Sequence, residues 1–370
     1  MYAARAFIIM VLAVVLAASP SAIAADGDSV GMERLRRAVQ TAAKEAWPDF
    51  SEEDAFSAAI KGYLSSIDPY STYISPQEAE ALRTADNHEF VGVGMDIIQD
   101  YKGFLYCLPF SGSPAERAGI SYGDMLRSID GAQAEAMSLQ SVQGRIRGEE
   151  GSTVTLGIVN DAGLREVVLT RGRIVRPSVE LLRGDRVPRI RIMRFDQHTV
   201  GELRAALAST VVGAPLSLDL RGNIGGDLQV ALDCAGLFLP KDTLFVTMLK
   251  RNEASTALRT RAGSRATAGS VVLWQDRFTA SAAEVFCAAL SQHERGKTVG
   301  ERSFGKGVTQ RVIPAGDGGL FVITNGELLP PNGKSFNHTG LEPDLPVVRQ
   351  SASAHQDFLR RTHEALGLKQ

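Results

Sequence analysis

Thirteen consecutive apolar positions, Ala6 to Ala18, form the one long uninterrupted apolar run of the chain. Arg5 precedes it, Ser19-Pro20-Ser21 breaks it, and Ala22-Ile23-Ala24 follows. The run is shorter than the roughly 20 residues needed to cross a bilayer. With its flanks it predicts a cleavable export signal over 1–24, cut after Ala24. Beyond it, Met32, Leu35, Val39, Ala42 and Ala43 recur at helical spacing and predict helices over 29–84. One starts at Ser51-Glu52-Glu53-Asp54 and stops at Asp68-Pro69. From about 88 to 172 the texture changes to short strands and glycine turns. Val91–Met95, Gly103–Leu108 and Gly123–Ile129 read as strands, the last ending in an Asp130-Gly131 turn. Ser113–Gly119 reads as a Pro-initiated helical turn. Arginines recur from Arg171 to Arg194 and read either as an anion-binding stripe or, as their alternation with Ile190, Ile192 and Phe195 predicts, as the solvent face of a strand. After 195, helices (Val200–Leu207, Leu228–Phe238) alternate with strands (Leu216–Leu220, Val271–Trp274), the rhythm of a layered α/β core. The last twenty residues read as an amphipathic helix.

At 370 residues the chain is long enough for two or three domains. Lys+Arg number 40 and Asp+Glu 42, so the near-neutral balance excludes the basic bias of a nucleic-acid binder. Three cysteines, Cys107, Cys234 and Cys287, are too few and too dispersed for a disulfide scaffold or a Cys-rich zinc site, and read as small buried apolar residues. The six histidines (88, 198, 293, 338, 355 and 363) form no zinc motif.

Three segments of the α/β part could carry chemistry. Asp219-Leu220-Arg221-Gly222-Asn223-Ile224-Gly225-Gly226 takes a strand end through a glycine-rich turn, where backbone N–H groups can meet an oxyanion. By itself it reads more simply as a strand–helix turn. Thr279-Ala280-Ser281-Ala282-Ala283-Glu284 opens a helix on a serine. Ser281-x-x-Glu284 is a capping box, yet the same geometry suits a nucleophile beside the Ala282 N–H. Phe304-Gly305-Lys306-Gly307-x-x-Gln310 sets a lysine between glycines. That lysine is either a surface turn residue or a base kept neutral by burial.

Taken in order, these segments resemble the carboxyl-terminal processing (tail-specific) peptidases, a family of serine–lysine peptidases. The Ser281–Lys306 gap of 25 residues and the further four to Gln310 match the family's spacing. Ser65-Ser66-Ile67-Asp68-Pro69-Tyr70-Ser71 resembles the family's N-terminal helical segment, with Tyr70 where histidine is common. Pro331-Asn332-Gly333 and Gly340–Asp344 resemble its C-terminal signature, and Phe90-Val91-Gly92-Val93-Gly94 resembles the carboxylate-binding strand and loop of its PDZ domain. Asp276-Arg277-Phe278 stands where the family often has asparagine.

The resemblance implies a multidomain α/β protein: signal 1–24, helical segment 25–86, mainly β PDZ domain 87–172, crotonase-like α/β peptidase core 173–350, helical tail 351–370. It implies Ser281 as nucleophile, Lys306 as base and Gln310 as the residue that orients the lysine. Ala282 with Gly225 or Gly226 would form the oxyanion hole, and Val91, Gly92, Val93 and Gly94 would engage a substrate's free C-terminus. Neither metal nor organic cofactor is implied. The expected partners are protein or peptide substrates, in the periplasm if the source is a Gram-negative bacterium; self-assembly and regulatory partners are left open. The competing reading, an inert exported PDZ adaptor with a crotonase-like core, is disfavoured because both the serine and the lysine positions are filled.

Overall fold

The computed structural model describes residues 28–45, 51–83, 89–137, 139–261, 269–347 and 354–368. The expected export signal and His88 lie outside these residues. Among the described residues no helix is long and apolar enough to cross a membrane. The chain forms two units, Met1–Asp86 with Gln310–Thr324, and Asn87–Thr309 with Asn325–Gln370.

In the first unit, helix α1 (Asp28–Glu45) precedes α2 (Glu52–Ile67). The Ser51 hydroxyl caps α2 by accepting the Asp54 N–H at 3.0 Å, and Glu52, Glu53 and Asp54 complement the helix dipole. Pro69 forces Asp68 into an extended conformation (φ −162°), which ends the helix as expected. Asp68 then organises the turn. Its carboxylate accepts the N–H groups of Tyr70 and Ser71 (2.8 and 2.9 Å) and the hydroxyls of Ser71 and Thr324. Burial opposes its charge, but the Ser71 and Thr324 hydrogen bonds hold its carboxyl below the ordinary range. A short strand, β1 (Thr72–Ile74), follows and pairs with 320–322 before α3 (Pro76–Arg83). The all-helical reading of 29–84 missed β1, because three residues are too few to display a period of two.

The second unit begins with β2 (Glu89–Gly92), β3 (Met95–Gln99) and β4 (Leu105–Pro109). A single helical turn, α4 (Pro114–Arg117), precedes β5 (Met125–Ile129) and β6 (Ala132–Gln133). Helix α5 (Leu139–Ile146), β7 (Thr153–Asn160), β8 (Gly163–Thr170) and β9 (Gly172–Val175) complete this part. The sheet order is β3-β4-β5-β7-β8 with β6 on β5, while β2 pairs with β9. Asp130 and Gly131 both have positive φ (50° and 80°), as a tight hairpin turn requires. The strand expected over Val91–Met95 divides at Val93-Gly94. Gly94 has φ +74°, and a Cβ there would lie 2.5 Å from Ser113 Cβ.

The rest is layered. The order of elements is β10 (Val179–Leu182), β11 (Arg189–Ile192), α6 (Thr199–Ala208), β12 (Leu216–Asp219), α7 (Leu228–Ala235), β13 (Leu244–Lys250), β14 (Thr256–Arg259), β15 (Val271–Gln275), α8 (Ala282–Gln292), β16 (Gly296–Gly300), β17 (Val308–Pro314), β18 (Leu320–Leu329), β19 (Leu345–Pro346) and α9 (Ala354–Ala365). Strands β10-β11-β12-β15-β16-β19 form one sheet, parallel except between β10 and β11. Both faces are covered, as parallel sheets require. In β15, Val271 and Leu273 join the cluster that contains α7 and α8, whereas Val272 and Trp274 pack with Phe358 of α9. The arginines of β11 are therefore not on a solvent face. Arg189 is only 11% exposed and lies over the Trp274 ring at 4.7 Å. The expected alternation is present, but α9 covers the polar side. All three cysteines are buried and unpaired, and burial pushes their thiols up.

Candidate active site

Strand β15 feeds Asp276–Ala280, then Ser281, then α8. Every residue of α8 from Ala282 to Leu290 is buried, so the helix is fixed in the core and its N-terminus is a rigid platform. Ser281 itself is half-buried. Its backbone (φ 57°, ψ −123°) is one that a side chain rarely adopts. Strain of this kind, about 1–3 kcal/mol, persists where surrounding packing enforces it. A sharp strand-to-helix turn on a strained serine is the geometry that lifts a nucleophile out of a sheet.

The glycine-rich turn lies against this platform. Asp219, fully buried at the end of β12, binds the Arg221 guanidinium at 2.6 and 2.8 Å. Burial opposes the charge of Asp219, but Arg221 holds its carboxyl below the ordinary range. The Arg221 guanidinium also stacks on Trp274 and Phe358 (4.7 and 4.6 Å). Asn223 is buried and donates to the Ile192 carbonyl (3.0 Å), and its side-chain oxygen accepts the Gly225 N–H (2.9 Å). The Asn223 carbonyl accepts the Ala280 N–H at 2.9 Å, which joins the two turns. A Cβ on Gly225 would sit 2.9 Å from Ser281 Cβ and 3.1 Å from the Ala282 nitrogen. Only a glycine leaves that space open. Gly226 instead meets the backbone of Phe195, whose carbonyl would be 2.2 Å from an added Cβ.

The lysine turn is tied to the same platform through Glu284. The Glu284 carboxylate accepts the N–H groups of Ser281 and Lys306 (both 2.8 Å) and of Gly305 (2.6 Å), and the Ser303 hydroxyl (2.6 Å). The acidic half of the expected capping box is thus present, while the Glu284 N–H meets the Ser281 carbonyl at 2.9 Å. Burial pushes the Glu284 carboxyl up to about 7, against the pull of the Ser303, Gly305, Lys306 and Ser281 bonds. Gly305 has φ +91°, and a Cβ there would lie 2.7 Å from the Gly340 nitrogen. Lys306 is half-buried. Ser281, Ala282, Gly225 and the Lys306 main chain are thus brought together. Gln310 belongs to the first unit, where its amide donates to the Tyr70 carbonyl at 2.7 Å.

Two tyrosines of the preceding β-rich part reach these turns. The Tyr122 hydroxyl donates to Asp276 at 2.5 Å. Asp276 also accepts the N–H groups of Gly222 and Phe278 (3.1 Å each), so it holds both the glycine-rich and the serine turn. Burial, reinforced by Asp276, pushes the Tyr122 phenol well up and keeps it a donor. The Tyr101 hydroxyl reaches the carbonyls of Phe304 and Gly305 (2.5 and 2.6 Å), beside the lysine. Ile98, Leu108, Phe278 and Ala280 form an apolar cluster between these contacts. Sequence reasoning missed Tyr101 and Tyr122, and noted Asp276 only as a departure from the family pattern. Of the expected C-terminus-binding residues, Val91 and Gly92 lie in β2, opposite Arg173 and Gly172, and Val93 and Gly94 form the link to β3. The Val93 side chain is fully buried in the local core. Among the histidines singled out, His293 meets the Leu244 carbonyl (2.6 Å) and His338 sets its edge on Tyr101.

The family model described as peptidase family S41 matches residues 186–347. This segment belongs to peptidase family S41. It carries the glycine-rich, serine and lysine turns together. The PDZ domain model matches residues 111–160, within the β-rich part, so the S41 segment is joined to a PDZ domain in one multidomain α/β chain. A probable CtpA-like serine protease of Staphylococcus haemolyticus is 32% identical over 296 residues, 79% of this chain and 60% of that protein. Another, from Staphylococcus saprophyticus, is 29% identical over 320 residues, 85% of this chain and 65% of that protein. The chain thus spans less than two thirds of the length of these relatives. The photosystem II D1 C-terminal processing protease shares the fold with a TM-score of 0.71, at 26% identity over 90% of this chain and 91% of that one.

Proposed function

We propose that this S41 chain is an exported serine endopeptidase that cleaves protein substrates near their C-termini. The observation that carries the reading is the strained Ser281 turn, with the Ala282 N–H beside the space kept open by Gly225 and the Lys306 main chain bound to the same carboxylate oxygen. Ser281 attacks the peptide carbonyl, neutral Lys306 takes the hydroxyl proton, and the lysine ammonium then protonates the leaving amine. Water attacks the acyl-enzyme with the same lysine as base. The Ala282 N–H stabilises the oxyanion. The Gly225 N–H is engaged by Asn223, which favours Gly226 as the second donor. Gln310 orients the lysine in this reading, and 87–172 acts as the PDZ domain of a core over 173–350. The leader over 1–24 is removed, so the secreted chain begins at Ala25.

Assays on an unstructured protein substrate test this. Ser281→Ala should abolish cleavage with a melting curve close to that of wild type, because the Glu284 carboxylate bonds the Ser281 backbone N–H, which the variant keeps. Lys306→Arg should be as inactive as Lys306→Ala, since a guanidinium with a pKa above about 12 cannot act as base. Chelation should leave the rate unchanged. Full activity in either Ser281→Ala or Lys306→Arg would overturn the assignment.

A further inference from the structure

Glu284 is fully buried, and its hydrogen bonds exceed what a helix cap requires. Of its glutamate, a capping box needs only that it accept the Ser281 N–H. The other three come from Ser303, Gly305 and Lys306, a segment remote in sequence from α8. They are arranged in pairs. One carboxylate oxygen takes the Ser303 hydroxyl and the Gly305 N–H, and the other takes the Ser281 and Lys306 N–H groups. The main chains of the two residues assigned to the chemistry therefore share one acceptor atom.

We propose that Glu284 is a positioning residue for peptide cleavage, whose ionised carboxylate sets the spacing between the Ser281 hydroxyl and the Lys306 amine. The inference rests on the serine–lysine reading and adds to it the group that aligns the pair. The donors explain why a carboxylate is needed. Each oxygen accepts at least one backbone N–H, which cannot turn away. A glutamine would set its own NH2 against an N–H in either orientation. An aspartate keeps the charge but is one methylene too short to hold both turns. Burial makes the ionised form costly, so alignment weakens as the carboxyl takes up a proton, near pH 7. Of titratable side chains, Cys287 on its own helix interacts with it, while the opposing turn presents the Ser303 hydroxyl and the main-chain N–H groups of Gly305 and Lys306.

The test compares wild type, Glu284→Gln, Glu284→Asp and Ser303→Ala on one peptide substrate, from pH 5 to pH 10, after melting curves establish folding. Glu284→Gln should lower kcat about 100-fold or more, the scale of losing preorganised geometry, with KM within about twofold. Glu284→Asp should fail to rescue. Ser303→Ala removes one donor to the carboxylate and the acceptor of the Leu341 N–H, but leaves the three backbone donors to Glu284 in place. It should move the acid limb of kcat/KM upward by about half to one pH unit, even if the glutamine variant does not fold. Wild-type kcat in folded Glu284→Gln, or an unmoved acid limb in Ser303→Ala, would overturn the proposal. Ser281→Ala and Lys306→Ala run alongside. If they are inactive while Glu284→Gln is normal, only the positioning role fails; if they remain active, the serine–lysine reading itself fails.

Discussion

At the scale of single residues, the site depends on what is left out as much as on what is present. Gly225 is the clearest case. A methyl there would crowd both Ser281 Cβ and the Ala282 nitrogen, on a backbone (φ +101°) that already disfavours a side chain. Gly225→Ala should therefore lower kcat by about 100-fold, the magnitude of losing one oxyanion donor, and change KM much less. Steady-state kinetics at saturating substrate measure this; an unchanged kcat would show that the space is not used. Glu284 leads to a second expectation, about stability. Its carboxyl sits near 7 in the fold against 4.5 for the free group. Between those values the native state holds a proton that the unfolded chain has lost. Stability should then fall as pH rises from about 4.5 to 7 and level off above, by up to about 3 kcal/mol. Urea unfolding at pH 5 and pH 8 should reveal that slope in wild type and a shallower one in Glu284→Gln. The ionised form is thus less stable but supplies the four acceptor contacts.

At the scale of elements, the S41 turns are held partly by a neighbour that does no chemistry. Tyr122 completes the set of donors around Asp276, and Tyr101 binds the carbonyls next to Lys306. Removing the Tyr122 hydroxyl leaves a buried carboxylate one donor short, a cost of about 1–3 kcal/mol. Tyr122→Phe should reduce kcat about tenfold while the protein stays folded. Tyr101→Phe should act on the same parameter, and a rise in KM alone would place these contacts in substrate binding instead. Such contacts were not legible in the sequence. Tyr122 and Asp276 are 154 residues apart, and neither stands in a periodic pattern. What was legible had local causes. Ser51 before three acidic residues gave the start of α2, Asp68-Pro69 its stop, and Asp130-Gly131 a hairpin. The glycine-rich and lysine turns were readable because their glycines are demanded locally, and the serine turn because Ser281 and Glu284 stand at capping-box spacing. The arginines of β11 were misassigned because periodicity reports that two faces differ but not what covers each. Strand β1 was too short to leave a pattern, and α5 has few apolar positions beyond Val142 and Ile146.

At the scale of the whole molecule, the remaining matter is how a substrate tail is chosen. Strand β3 pairs only with β4 among the described strands, so its other edge can accept an added strand. Helix α5 contributes Val142 and Ile146 to the cluster that contains Met95 and Ile97 of that strand. The link Val93-Gly94 enters this edge, and its backbone N–H groups are the candidate carboxylate nest. The side chain of Val93 is committed to the core, so any recognition of the last carboxylate there falls to the backbone. A free C-terminus should therefore be preferred over its amide, which lacks the charge. We expect kcat/KM for a peptide acid to exceed that of its amidated twin about tenfold, equivalent to about 1.4 kcal/mol. Gly94→Val provides the control. Its side chain would meet Ser113 Cβ on a backbone with φ +74°, which distorts the nest without touching the S41 turns. In that variant the acid-to-amide ratio should fall toward unity, whatever happens to the overall rate. Because the ratio is internal to each variant, partial loss of stability does not affect the comparison. Equal cleavage of acid and amide by wild type would instead assign the PDZ domain a supporting role, through Tyr101 and Tyr122, and move the choice of substrate to the S41 segment.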